Sequence, residues 1–291
     1  MFLCCMKTVK DAYDEFKGNL TNIYSSSEAD AIASLVLTDL TGLNKARLKA
    51  FTDTELSTEQ SQKLATILQE LRTGKPVQYI LGHTEFYGLN FLVNPAVLIP
   101  RPETEELVEW ILQTIPSSVD INILDIGTGS GCIPIVLKLH LTNNKLFAID
   151  ISPDALQTAK RNAELNKTDI TFVEADALHL NESVIAEQQY GVIVSNPPYV
   201  TMVDKQQMHH NVTGFEPHTA LFVPNENPLL FYVAIADFAA GHLNKDGYLF
   251  FEINESYGAE TVEMLVAKGF TQIELRQDMA GKDRMIRATW A

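Results

Sequence analysis

The apolar run YGVIVS, residues 190–195, stops at Asn196-Pro197-Pro198-Tyr199: one amide, two rigid rings and one phenol. Consecutive prolines neither continue a central strand nor enter a helix interior, so the chain halts there in a stiff, extended turn. Taken alone, the quartet is as well explained by a rigid turn as by a site. Its residue types nevertheless suit one chemistry. The nitrogen of an amide or an aromatic amine is planar and its lone pair is delocalised. To attack an electrophilic carbon it needs both hydrogens held and the lone pair aimed. The Asn196 side-chain oxygen and the Pro197 carbonyl are two acceptors for those hydrogens, Pro198 makes the carbonyl hard to displace, and Tyr199 offers a flat face for stacking.

A second group of residues closes the run INILDI: DIGTGSG, Asp125 to Gly131. Gly127, Gly129 and Gly131, alternating with Thr128 and Ser130, let the backbone turn tightly with no side chain between it and a ligand. The dinucleotide template GxGxxG fails, because the residue three after Gly129 is Cys132. The GxGxG form with a preceding acid suits S-adenosylmethionine, which has no pyrophosphate. Its cationic amino group wants a carboxylate such as Asp125, directly or through water. A structural turn is the competing reading. Asp150 closes KLFAID, where an acid accepts both hydroxyls of a ribose. Its alternative role is to cap the next helix, a job open to Ser152 ahead of Pro153. The run ITFVEA leads to Asp176-Ala177, where adenine contacts are expected. Three ligand-like tips on consecutive strands weigh more than any one. Beside a sulfonium donor the quartet reads as a clamp for a planar nitrogen. No strong general base is required, because methylation itself acidifies that nitrogen, and orientation supplies roughly 7–11 kcal/mol in favourable cases.

The elements that position these tips follow from periodicity. INILDI, KLFAID, ITFVEA, GVIVS and GYLFFEI are short, apolar and rich in β-branched or aromatic residues, as parallel strands covered on both faces are. Between them lie CIPIVLKLH, PDALQTAKRNAELN, PLLFYVAIADFAAGHL (228–243) and YGAETVEMLVAKG as helices, with Ala155, Leu156, Ala159 and Ala163 on one face of the second. FTQIELRQD and RMIRATW form a final antiparallel pair. The fold class is a doubly wound, Rossmann-like α/β sheet, whose ligands sit beyond the carboxyl ends of the strands. Residues 1–80 read as a small helical bundle. Ser25 with Glu28 and Ser57 with Gln60 are capping boxes, ahead of the stripes Ile32, Leu35, Val36, Leu40 and Leu64, Ile67, Leu68, Leu71. Residues 81–100 read as a connector with two strands around Gly88, and residues 101–291 as the α/β domain. In that domain Pro102 opens a helix carrying Leu107, Val108, Ile111 and Leu112.

Of 291 residues, 46% are apolar and 20% charged, a soluble profile, and the net charge of −15 argues against a broad phosphate-binding surface. No run approaches a membrane span. MFLCCMK has neither the basic start nor the cleavage pattern of a secretory signal, and translation from Met6 is an alternative start. Cys4, Cys5 and Cys132 have no disulfide or metal spacing, which suits a reducing cytoplasm. His209 and His210 lack an acid or cysteine partner and read as loop surface, so no metal is expected.

DIGTGSG, the acid of FAID and SNPPYV together resemble class I methyltransferases acting on planar nitrogens. FYGLNFLVNPAVLIPRPETEELVE (86–109), GFEPHTAL (214–221) and QDMAGKDRMIRATW (277–290) are similar, more specifically, to the protein-(glutamine-N5) methyltransferases of the PrmC/HemK type. The resemblance covers the whole chain, though the N-terminal part matches in architecture more than in motif. It implies methylation of the glutamine in the Gly-Gly-Gln motif of class I peptide chain release factors, with S-adenosylmethionine as donor and S-adenosylhomocysteine as product. It further implies that Gly127 to Gly131 and Asp150 bind the donor, that Asn196 to Tyr199 hold the glutamine amide with Asn196 also near the donor, and that the helical domain docks the release factor. Ala177 departs from the aromatic residue that some members carry beside adenine. Glu103 and Thr104 are candidate supports for the donor, whereas Glu105 and Glu106 read as charges favouring the helix dipole. The expectation is a cytoplasmic monomer without direct nucleic-acid contact. The rivals are a ribosomal-protein glutamine methyltransferase, which shares the quartet, a DNA or RNA adenine N6-methyltransferase, which the acidic balance disfavours, and a donor-binding module without activity, for which the quartet has no use.

Overall fold

The computed structural model describes residues 6–50 and 52–291, so Cys4 and Cys5 lie outside the described residues. The chain divides into two compact units, one of Met1–Gly82 with His209–Phe215 and one of His83–Met208 with Glu216–Ala291. The first unit holds α1 (Val9–Leu20), α2 (Ser26–Thr41), α3 (Lys45–Ala50), α4 (Thr58–Leu71) and α5 (Val77–Leu81). Ser57 and Gln60 make the reciprocal capping box that their spacing predicts. Ser25 accepts only the Glu28 N–H, so its box is half-formed, while Thr8 and Asp11 make a full one. The buried face of α2 is Ala29, Ile32, Ala33, Val36 and Leu37, and Leu35, expected in the stripe, is 38% exposed. Two alanines, Ala29 and Ala33, are fully buried on that face, and Leu35 lies off it. The late segment His209–Phe215 belongs to this unit: the His209 ring stacks on Tyr24 at 6.4 Å, and the His210 and Phe215 rings lie over Gly74.

The second unit begins with the hairpin β1 (His83–Phe86) and β2 (Leu89–Leu92), turning through Tyr87 and Gly88, both with positive φ. Then follow α6 (Pro102–Thr114), β3 (Asn122–Ile126), α7 (Cys132–His140), β4 (Lys145–Asp150), α8 (Pro153–Leu165), β5 (Thr171–Glu174) and β6 (Tyr190–Ser195). Next come β7 (Val200–Thr201), the single turn α9 (His210–Thr213) of the first unit, and β8 (Phe222–Val223), which pairs with β7. The unit closes with α10 (Leu230–His242), β9 (Leu243–Glu252), α11 (Gly258–Ala267), β10 (Phe270–Gln277) and β11 (Asp283–Trp290).

Seven strands form one sheet in the order β10-β11-β9-β6-β3-β4-β5. The pairs from β9 to β5 are parallel, and β11 with β10 adds the antiparallel edge that the last two apolar runs predict. Apolar clusters cover both faces, one with Leu107, Val108 and Ile111 of α6, the other with Tyr232, Ile235 and Phe238 of α10. The sheet is thus doubly wound, as the alternating pattern requires. One boundary differs: Leu243, expected in the preceding helix, starts β9 opposite Tyr190, and the register then shifts before Tyr248 meets Val192. Asp246, at φ +61°, makes the turn inside that irregularity.

Central strands leave little room. A Cβ on Gly191 of β6 would lie 2.7 Å from the Cβ of Ile121. Gly191→Ala is therefore expected to destabilise the fold by about 1–3 kcal/mol, read from the denaturant midpoint. An unchanged midpoint would mean that Ile121 yields freely.

Candidate active site

The strand order reverses between β3, which leads outward to β4 and β5, and β6, which lies on its other side. A crevice at the carboxyl ends of such strands is where doubly wound sheets bind ligands. Ile126 pairs with Ser195, and the Ser195 hydroxyl donates to the Ile126 carbonyl at 2.7 Å, so the ends of β3 and β6 are locked together. A cavity of about 370 Å³ opens there. Gly127, Thr128, Gly129, Ser130, Asp150 and Ala177 line it, as do Asn196 and Pro198. Asp125, Gly131, Pro197 and Tyr199 do not reach its wall.

The glycine turn combines two constraints. Gly129 has φ +53° with open space at its missing Cβ, so it is free for the chain to reverse and for a ligand to approach. Gly131 has φ +79°, and a Cβ there would stand 3.1 Å from the Cβ of Ala159, so it also permits close packing on α8. Beneath the turn Asp125 is fully buried, with neither carboxylate oxygen hydrogen-bonded among the described residues. Burial pushes its carboxyl up to about 7, with the Thr128 hydroxyl pulling it down and the Asp150 charge adding to the rise. The folded chain thus holds this proton more tightly than the unfolded chain. The resulting stabilisation is complete below the ordinary value of 3.8 and is lost as pH rises through about 7. In thermal melts without ligand, wild type should lose stability relative to Asp125→Asn over that interval, and the gap should then level off. A pH-independent gap would contradict the assignment.

Asp150 is half-buried, and burial raises its pKa against the pull of its hydrogen bonds. Its Oδ2 accepts the Gly129 N–H at 2.8 Å and its Oδ1 the Ser152 N–H at 2.9 Å, which ties the end of β4 to the glycine turn. Ser152, not Asp150, caps α8 by accepting the Ala155 N–H at 3.2 Å. The Asp150 carboxylate keeps lone pairs for further donors. Asp176 accepts the Leu178 N–H and pairs with His179. Ala177 lines the same cavity as the apolar residues Ile151, Leu178 and Phe231.

The quartet is held from behind. The Asn196 Nδ2 donates to the Thr104 hydroxyl oxygen at 3.2 Å, and the Thr104 hydroxyl donates to Glu252 Oε2 at 2.7 Å. The Tyr199 hydroxyl donates to Glu252 Oε1 at 3.1 Å, and Asn254 Nδ2 donates to the Tyr199 carbonyl at 3.0 Å. Burial, reinforced by the Glu252 charge, pushes the Tyr199 phenol far above its usual range, so it stays a neutral donor. Pro197 is buried. Arg101 lines the cavity and donates to Glu216 Oε1 at 2.6 Å, while Glu216 Oε2 accepts the Ile99 N–H at 3.2 Å. Glu105 and Glu106 do more than charge the start of α6, since they accept the N–H groups of Tyr87 and Met279. His209 and His210 are both exposed.

Sequence reasoning missed Glu252, Asn254 and Glu216. A usable signal existed for the first: Glu252 is the sole charge near the end of GYLFFEI, at the same strand end as the other tips. Glu216 stands inside GFEPHTAL without a local pattern to mark it as buried.

Residues 11–82 match the sequence model of the PrmC N-terminal domain, and residues 104–213 that of the Methyltransferase small domain. A release factor glutamine methyltransferase of Flavobacterium psychrophilum is 44% identical over 285 residues, 97% of this chain and 99% of that protein. One of Bacteroides thetaiotaomicron is 41% identical over 270 residues, 93% of this chain and 96% of that protein. A methyltransferase crystal structure from Pyrococcus furiosus superposes with a TM-score of 0.52 over 80% of this chain and 98% of that one, at 16% identity, a likeness of fold. With the glycine turn and Asn196 and Pro198 lining one crevice, and relatives this similar along nearly the whole chain, the protein belongs to the release factor glutamine methyltransferase family.

Proposed function

We propose that this protein methylates the N5 amide nitrogen of the glutamine in the Gly-Gly-Gln motif of class I peptide chain release factors, with S-adenosylmethionine as donor. The observation that carries the reading is Asn196 on the wall of the same cavity as the Gly127–Ser130 turn, at adjacent strand ends. The residues present fit the donor. Asp125, set behind the cavity wall, has no hydrogen bond to either carboxylate oxygen among the described residues, which suits it to reach a cationic amino group through a bridging water, and the open space at Gly127 and Gly129 admits a ligand against the backbone. Gly127 to Ser130 and Asp150 would hold it, with Gly131 setting the turn on α8 and Ile151, Leu178 and Phe231 giving the apolar surface that Ala177 alone does not. When bound, S-adenosylmethionine supplies a methyl group activated by its sulfonium and leaves as S-adenosylhomocysteine.

The chain's own part is orientation. The Asn196 side-chain oxygen, on the cavity wall, accepts one hydrogen of the glutamine amide, and the Pro197 carbonyl, set behind that wall, is the acceptor for the other; the turn that carries them is fixed by its prolines and by Glu252. Tyr199, set back from the wall, anchors the far end of the turn through its hydroxyl on Glu252. A proton is lost after methyl transfer, so no base of high pKa is required. The helical unit serves as the docking module, and the enzyme works as a cytoplasmic monomer. Among the described residues no helix is long and apolar enough to cross a membrane.

Incubation with labelled donor and a purified release factor should label one tryptic peptide, the one containing Gly-Gly-Gln. Label in a ribosomal protein or in nucleic acid, but not in that peptide, would overturn the substrate assignment.

A further inference from the structure

We propose that Glu252 is a positioning residue that sets which way round the Asn196 amide sits, acting through the Thr104 hydroxyl. The inference rests on reading Asn196 as an acceptor for the substrate amide, and deepens it. An ionised carboxylate only accepts hydrogen bonds. Burial raises the pKa of the Glu252 carboxyl, but the hydroxyls of Thr104 and Tyr199, hydrogen-bonded to its two oxygens, and the charge of Arg284 all favour its ionised form, the acceptor in both contacts. With its hydrogen given to Glu252, the Thr104 oxygen has only lone pairs left for Asn196. Asn196 must therefore present its NH2 group, and does so at 3.2 Å. The flipped amide would set oxygen against oxygen at that contact. The carbonyl end of Asn196 is thereby kept for the cavity that the residue lines.

This selection matters because an asparagine amide is nearly symmetric in shape. Reversed, it would offer N–H groups to an incoming NH2 group, donor against donor, and the clamp would repel what it is built to hold. Thr104 is 3% and Glu252 1% exposed, so water does not compete for either hydroxyl hydrogen or carboxylate. Both are also fixed by regular structure. Thr104 sits in the first turn of α6, and Glu252 ends β9, next to Phe251, which pairs with Ser195 of β6. One carboxylate spans the turn: through Thr104 it orients the first residue of the quartet, and directly it anchors the last.

The test uses the full chain with three single variants and one double variant. Glu252→Gln keeps the shape but can donate to Thr104, which frees the Thr104 hydrogen to point at Asn196 and favours the reversed amide. Thr104→Val removes the hydroxyl at nearly constant volume, and Thr104→Ser restores it. Expected are falls in kcat of roughly ten- to a hundredfold for Glu252→Gln and Thr104→Val, a lowered melting temperature for Thr104→Val, and a smaller change in donor affinity than in kcat for both. Thr104→Ser should recover most of the rate. The double variant Glu252→Gln/Thr104→Val should be no slower than the slower single variant, because both act on one amide. A second readout needs no substrate: hydrogen exchange of the Asn196 side-chain NH2, followed by ¹⁵N NMR, should be slow in wild type and Thr104→Ser and faster in the other two. Additive losses, full turnover in Thr104→Val, or equal exchange in all four proteins would overturn the proposal. If Glu252→Gln fails to fold, the Thr104→Val and Thr104→Ser pair decides alone. A protected Asn196 amide in a wild-type protein that labels no release factor would overturn the functional reading and leave the orientation intact.

Discussion

Asn196→Ala should lower kcat by roughly a hundredfold or more while leaving the dissociation constant for S-adenosylmethionine within about threefold of wild type. The size follows from what is lost. The glutamine amide would keep the Pro197 carbonyl but lose the acceptor that fixes its second hydrogen, and would then rotate freely about the remaining bond. A nucleophile whose lone pair is unaligned forfeits much of the rate that orientation supplies. The sparing of donor binding follows from the site, since the glycine turn and Asp150 do not depend on the Asn196 side chain, whose hydrogen bond runs to Thr104. Single-turnover rates with saturating donor and calorimetry on the same preparation check both halves. Equal losses in affinity and rate would mean that Asn196 holds the donor rather than the acceptor.

Asp150→Ala should have the opposite profile, weakening the donor roughly ten- to a hundredfold with a smaller change in turnover at saturation. The carboxylate has two duties at once. It is placed to accept the ribose hydroxyls, and it already accepts the Gly129 and Ser152 N–H groups that fix the glycine turn against β4. Asp150→Asn separates the two, because an amide retains one acceptor oxygen and turns a donor toward whatever the other oxygen had accepted. It should fall between wild type and Asp150→Ala in donor affinity. Unchanged affinity for either variant, measured by calorimetry, would remove Asp150 from the donor site.

Much of the α/β unit was readable because its strands are continuous apolar runs ending in polar tips, and those tips converge at one end of the sheet. Local signals sufficed where one residue decides, as for Ser152 capping α8 or Gly88 turning the hairpin. The signals failed where a residue's role depends on a distant neighbour. Glu252 meets Thr104 across 148 positions and Glu216 meets Arg101 across 115, and no spacing rule reaches that far. Leu35 shows the same limit on a helix. Its spacing fits the buried stripe, but the face that packs into the cluster is the one carrying Ala29 and Ala33. The α1 capping box was missed because Asp11 takes the place of the Glu or Gln usual at that position.

The seven residues from His209 to Phe215 that complete the first unit are made long after the rest of it. A chain emerging from the ribosome offers Tyr24 and Gly74 their covering rings only after roughly 130 further residues have been added past Gly82. At ordinary elongation speeds that is a delay of about 7–25 s. For this interval the first unit lacks those rings, and its packing at Tyr24 and Gly74 is completed only once the segment that follows the quartet has been made.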